Sequence, residues 1–254
     1  MKIVRRTLAV LLLLLAGPGA VAVAGPDGGD DWRTASRESA GIAPDPATTP
    51  EAVVQVYAAR AFRWRGAFAV HTWIATKPAG AAQFTVHEVT GWGVRRGGKA
   101  VRSYPSAPDR HWYGARPELL ADLRGDEATA EIEQIDAAVA AYPYADTYTT
   151  WPGPNSNTFV AHILRQVPTV GADLPPTAIG KDYLPGPAFA AATPSGTGGQ
   201  ISLFGLVGVA VGAEEGLEVN VLGLNFGVDP AELALRLPGI GKVGLATETA
   251  AAHP

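Results

Sequence analysis

The sequence predicts an α+β fold: a small antiparallel sheet with helices packed on one side and a C-terminal β-hairpin region against it. Three features point there. Short β-branched and aromatic runs between residues 51 and 104 read as strands. Residues 127–142 then place Ile132, Ile135, Val139 and Tyr142 on one helical stripe, and Phe159 to Val167 resumes that spacing. From Ile201 onward the pattern reverts to Gly-punctuated apolar runs suited to twisted strands.

In chain order, Lys2, Arg5 and Arg6 form a basic start, Leu8 to Ala16 an unbroken apolar run, and Ala22-Val23-Ala24 a small-residue end before Gly25. Residues 1–24 therefore read as a signal peptide or an N-terminal anchor. The adjacent arginines also fit a twin-arginine export route. Thr7 to Ala24 gives 18 uncharged residues, just long enough to span a bilayer, so membrane anchoring through residues 7–24 is the alternative to cleavage. Either way the body is expected to be exported, periplasmic or attached to the cell membrane. Residues 25–50, rich in Gly, Asp, Pro, Ser and Thr, read as a linker or an extended arm laid across the domain.

Residues 51–167 carry the expected α+β core. Val53-Val54-Gln55-Val56-Tyr57 is a strand by its β-branching. Ala67 to Thr76 and Phe84 to Trp92 form a hairpin about Pro78-Ala79-Gly80, and Lys99 to Tyr104 adds an edge strand. Pro117-Glu118-Leu119-Leu120 resembles a helix start that stops at Gly125. Pro152, Gly153 and Pro154 break the chain before the helix that Pro168 ends. Residues 168–254 are a Pro/Gly-rich segment and a β-hairpin, Ile201–Val211 with Leu217–Val228, packed on the core and ending in a flexible tail. These runs are too short for membrane helices.

Composition excludes several function classes. The chain is 47% hydrophobic and 17% charged, as in a globular protein with a sizeable core. Acidic residues outnumber basic ones, 24 to 20. No basic stripe is present, so no nucleic-acid partner is expected. The absence of cysteine removes disulfides, thiolate metal sites and a Cys nucleophile. No His/Asp/Glu group has zinc spacing. Ser195-Gly196-Thr197-Gly198-Gly199 lacks the lysine of a phosphate loop. No cofactor or metal is expected.

The candidate catalytic residues are Ser156, His71 and His87. Ser156 lies in Asn155-Ser156-Asn157-Thr158 at a helix start, where free N–H groups favour developing negative charge. All four residues are equally good helix caps, so capping is the competing role. If the hairpin pairs symmetrically about its turn, His71 sits opposite His87 on one face, as a base and its orienting partner. A one-residue slip sends the two to opposite faces, and each can equally be a hydrogen-bonded sheet histidine. Asp109-Arg110-His111-Trp112-Tyr113 either lines a cleft or anchors a loop.

Long words run through the chain: Ser39 to Pro44, Val54 to Arg60, Val70-His71-Thr72-Trp73-Ile74, His111 to Gly114, Gly153 to Phe159, Thr177 to Tyr183 and Glu218 to Leu224. On these words the sequence closely resembles an uncharacterised bacterial family, domain of unknown function 3750, with no established activity. The order His71, His87, then Asn155-Ser156-Asn157-Thr158-Phe159 is also similar to permuted NlpC-type papain-like proteins, including the lecithin:retinol acyltransferase-like group. That resemblance covers about residues 51–167 and implies a nucleophile slot at Ser156, where those folds hold cysteine. The Ser156 hydroxyl is then expected near His71, in a cleft lined by aromatics such as Trp73 or Trp151. Two functions follow as expectations. One is an exported envelope hydrolase or acyltransferase, with Ser156 attacking an amide or ester, His71 as base, His87 orienting it and N–H groups near Asn157 holding the oxyanion. The other is a catalytically inactive papain-like binding or scaffold protein whose cleft takes an envelope ligand: a peptide, glycan or lipid.

Overall fold

The computed structural model describes residues 2–25, 28–29 and 31–244. Helix α1 (Lys2–Ala24) comes first. The first sheet contains β1 (Val53–Arg60), β2 (Val70–Lys77), β3 (Thr85–Val89), β4 (Val101–Pro105) and β5 (Glu118–Arg124). Their order is β4-β3-β2-β1-β5, every pair antiparallel. β1 is buried almost throughout. It therefore reads as a near-continuous apolar run rather than as alternation.

Side chains of alternate residues sort to two faces. One face presents Val54, Val56, Ile74 and Val89 to α2 (Gly125–Ala140) and α3 (Ser156–Gln166). The stripe expected over residues 127–142 lies in that core, with Ile132 and Ile135 of α2 and Tyr142 just beyond its end buried. The other face presents Val53, Tyr57, Trp73, Ala75 and Val86. It is covered by the loop 106–117 and by the arm before β1. The arm is held by a bridge between Ser39 and Arg110, by Ala40 N–H on the Asp109 carbonyl and by His111 N–H on the Glu38 carbonyl. The Asp109 carboxylate accepts from Ser39 Oγ and from the Ile42 and Ala43 N–H groups.

One element departs from expectation. Glu118–Arg124 is a strand paired with β1, not a helix. Its Glu, Leu and Ala favour helix, but intrinsic propensity is a weak preference. The N–H and C=O groups along the otherwise unpaired side of buried β1 require ladder partners.

The C-terminal region is larger than a hairpin. β6 (Ala190–Ala192), β7 (Gly198–Leu203), β8 (Val207–Gly212), β9 (Gly216–Val221), β10 (Leu224–Asp229), β11 (Ala234–Leu237) and β12 (Gly241–Gly244) form one antiparallel meander in sequential order. The tail expected at its end falls outside the described residues. The faces of this sheet are inverted. Gln200, Ser202, Glu218, Asn220, Asn225 and Arg236 point inward and are buried. The cross-strand rows Val211-Leu217-Val228-Leu235-Val243 and Ile201-Val209-Val219 point outward.

Charge holds the polar face to the core. Lys181 bonds Glu218. Arg236 donates to Glu218 Oε1 at 2.6 Å and, through both terminal nitrogens, to Asp173 at 2.6 Å. Asp182 accepts from Asn220 at 2.7 Å and Asn225 at 3.0 Å. Helix α1 docks at one end of the same sheet. There Gly239, at φ +71, leaves no room for a Cβ beside Pro18 and the Ala67 carbonyl. No helix among the described residues is long and apolar enough to cross a membrane.

Candidate functional site

The start of α3 is a dense polar knot. Asn155 is its N-cap: its side-chain oxygen accepts from Asn157 N–H at 3.0 Å and Thr158 N–H at 3.2 Å. Thr158 Oγ1 in turn accepts from Asn155 N–H at 3.1 Å, closing a capping box. The Asn155 amide donates to the Thr150 and Ile179 carbonyls, and the Asn157 amide donates to Val70 and Ile179. Gly180, at φ +103, is required because a side chain there would strike Asn155. The Asn155–Phe159 and Thr177–Tyr183 words thus interlock across space. Ser156 is the first helical residue and is buried.

The hairpin register separates the two histidines. Ile74 pairs with His87, Ala75 with Val86 and Thr76 with Thr85. This register is three residues from the symmetric one, because the connection runs on to Phe84 before β3 begins. An odd shift exchanges the faces. Thr72 Oγ1 donates to Asn157 Oδ1 at 2.9 Å, so its side chain faces α3, and alternation turns His71 to the far face. The sheet therefore lies between Ser156 and His71, and the expected Ser156–His71–His87 constellation is not assembled. His87 shares the helix face, but Thr76 Oγ1 lies 3.1 Å from its Nε2 and Ser103 Oγ 2.9 Å from its Nδ1. Asp136 stands 3.7 Å from Nε2. Burial lowers the His87 pKa. The two tryptophans expected at a shared cleft lie apart. Trp73 is buried on the far face and donates to the Pro108 carbonyl, whereas half-exposed Trp151 donates to the Leu222 carbonyl.

A second cluster gathers around His71. Its Nε2 is 2.9 Å from Glu88 Oε2, which also accepts from Arg110 Nη2 at 3.0 Å. Tyr104 Oη donates to Glu88 Oε1 at 2.5 Å. The imidazole stacks on Trp112 at 3.6 Å between ring centroids, with Trp73 at 5.7 Å. Burial lowers the His71 pKa more than Glu88 raises it. The neutral ring therefore carries its proton on Nε2 toward the carboxylate. Burial pulls the Glu88 carboxyl upward, but the hydrogen bond from His71, the neighbouring positive charge of Arg110 and the Tyr104 hydroxyl outweigh it and hold it below the usual carboxylate range.

Above this cluster opens a cleft of about 170 Å³. Glu88, Thr90 and Arg110 contribute to its lining, together with Arg37, Arg102, Trp92 and Trp112. Two buried polar atoms there have no protein partner: Arg110 Nη1 and Thr90 Oγ1. Buried polar groups are nearly always paired, and these two stand out on residues that line the cleft; the Arg110 guanidinium otherwise lies over the rings of Trp73 at 5.1 Å and Tyr104 at 5.7 Å. A wider depression of about 540 Å³ is lined by residues of the arm and of the loop after β4. Half of its lining is Pro and Ala, and its Asp109 is already engaged by the arm.

Of the residues singled out by sequence, the structure brings His71, Arg110, Trp112 and Tyr113 to one region and leaves Ser156 and His87 on the other face. Glu88, Tyr104 and Arg102 belong to the cluster or its cleft without standing in any sequence motif. The available signal for Glu88 is its place in β3, two residues from Val86, where alternation turns a carboxylate toward the buried far face.

No curated protein and no solved structure matches this chain. A family model does match, over residues 51–183, which contain the first sheet, α2, α3 and the lining of the Arg110 cleft apart from Arg37. The chain therefore belongs to the family described as "Protein of unknown function (DUF3750)".

Proposed function

We propose that this is an exported binding protein of the cell envelope whose cleft at Arg110 takes the anionic group, carboxylate or phosphate, of a small ligand. The observation that carries this reading is the buried guanidinium: Nη2 is fixed on Glu88 and Nη1 has no protein partner. An arginine held by a carboxylate is pre-oriented, so a second anion meets a fixed fork. Arg37 and Arg102 add positive charge around the opening, against the single carboxylate of Glu88. Trp112, Trp92 and Tyr113 offer flat surfaces to the apolar part of such a ligand. Export is supported by the basic start and apolar run of residues 1–24.

The serine-hydrolase alternative has less support. A serine hydroxyl needs a base in contact. His71 faces away from Ser156, and both ring nitrogens of His87 are engaged elsewhere. A permuted papain-like ancestry still accounts for the strand-then-helix order, with the old nucleophile slot converted into part of the capped helix start.

A thermal-shift screen of the full chain against inorganic phosphate and simple carboxylates tests the proposal. The expected result is a rise in the unfolding midpoint that Arg110→Gln abolishes. Labelling by a fluorophosphonate probe that disappears in Ser156→Ala would instead establish the hydrolase.

A further inference from the structure

An antiparallel sheet with one packed face normally turns its apolar side inward and its polar side to water. The second sheet does the opposite. The residues of the two rows Val211-Leu217-Val228-Leu235-Val243 and Ile201-Val209-Val219 are between 41% (Val219) and 60% (Ile201) exposed, and neither row contains a charged side chain. The apolar patch is on the order of 1000 Å², where the largest patch on a typical monomer is ~300–600 Å².

The two ends of the sheet differ. The β7–β8, β9–β10 and β11–β12 turns lie at one end and carry exposed Phe204, Leu222 and Ile240. Phe204 and Leu222 hold φ of 55° and 57°. Asn or Gly suits that conformation far better than a bulky apolar residue. Apolar α1 docks at this same end, its Pro18 beside Gly239. The β8–β9 and β10–β11 turns at the opposite end carry exposed Glu214 and Glu232, with one apolar tip, Leu233, at φ 50°.

We propose that this outer face is a lipid-binding surface, resting flat on a bilayer with the Phe204–Leu222–Ile240 end inserted deepest. A partner sheet would account for the apolar rows alone. Three apolar turn tips beside an apolar helix at one end, against two acids and a single leucine tip at the other, match the apolar-to-polar gradient of a membrane interface. The edge strands β6 and β12 are unpaired on their outer sides within the sheet. Backbone groups left unpaired are not tolerated in the hydrocarbon core, so the sheet lies on the bilayer and does not span it.

The test is flotation of the full chain with vesicles of phosphatidylcholine alone and of phosphatidylcholine mixed with phosphatidylglycerol. Binding to both, persisting in high salt, is expected because the face is uncharged. The Phe204→Asn/Leu222→Asn double variant suits its turns and should fold while losing at least tenfold in vesicle partition. Val209→Ser/Val219→Ser/Leu235→Ser should lose more, with circular dichroism confirming the fold of both. Vesicle binding that salt abolishes, or that the tip variant retains in full, would overturn the proposal. So would a stable dimer by light scattering that ignores vesicles and dissociates in the triple variant, which would make the occupant a second copy.

Discussion

The two sheets solve the burial problem in opposite ways. The first buries apolar side chains on both faces and holds one buried polar cluster, Glu88 with His71, Arg110 and Tyr104, on its far face. The second buries its polar face against the core through Arg236, Glu218, Asp173 and Lys181, and leaves its apolar face outside. Alternation alone therefore fixes the faces of a strand without fixing which one is inside. That choice depends on what each face meets.

Removing a charge from the second sheet should have the largest effect on stability. Arg236 is fully buried, and Asp173 and Glu218 hold its pKa above the ordinary value against the opposing effect of burial. Arg236→Ala takes the guanidinium away from both carboxylates and should cost ~3–5 kcal/mol in denaturant unfolding. By contrast, polar substitutions on the outer face are expected to be nearly silent in aqueous buffer: Leu235→Ser should fall within about 0.5 kcal/mol. Equal costs for the two would erase the contrast between the faces.

Next in size is the cap of α3, which joins the first sheet to the Thr177–Tyr183 segment. Asn155→Ala removes the capping acceptor and two donors to the Thr150 and Ile179 carbonyls. A loss of about 2 kcal/mol is expected in the same assay. Ser156→Ala should cost clearly less, because the Ser156 side chain is not the cap.

The pH dependence separates the histidines from Glu88. Burial lowers the folded-state pKa of His71 and His87 below 6.5. As pH falls through about 6.5, the unfolded chain takes up protons that the native state refuses, so stability is full above that pH and declines below it. Each site contributes up to about 1.4 kcal/mol per pH unit in that window. Glu88 acts lower: its folded pKa is held below 4.5, so its stabilisation is present above 4.5 and is lost as pH falls below that value. Melting curves for wild type and His87→Asn should show the first limb flattened in the variant and the second unchanged.

Much of the first sheet was legible from residue patterns. β-branching marked β1, and the helical spacing of Ile132, Ile135 and Val139 marked α2. β5 was not legible, because Glu118-Leu119-Leu120 carries helical propensity and only the unpaired side of β1 makes it a strand. The hairpin was legible as an element but not in its register, which depends on how far the 78–84 connection runs. This difference of three residues turns His71 away from Ser156 and toward a carboxylate, Glu88, with which sequence spacing does not associate it. In the second sheet the Gly-punctuated apolar runs Ile201–Val211 and Leu217–Val228 were visible as strands of a hairpin. Its inversion was not, because Lys181, Asp182 and Asp173, which draw the polar face inward, lie outside the strands they bind.

The central claim places the functional site at Arg110 on the far face and not at Ser156 under the helices. Tryptophan fluorescence reports on it directly, because Trp112 and Trp92 line the cleft. Titration with inorganic phosphate should give a saturable change in wild type and in Ser156→Ala, and at least a tenfold weaker response in Arg110→Gln. A response that survives Arg110→Gln and disappears in Ser156→Ala would contradict the account and return the site to the helix start.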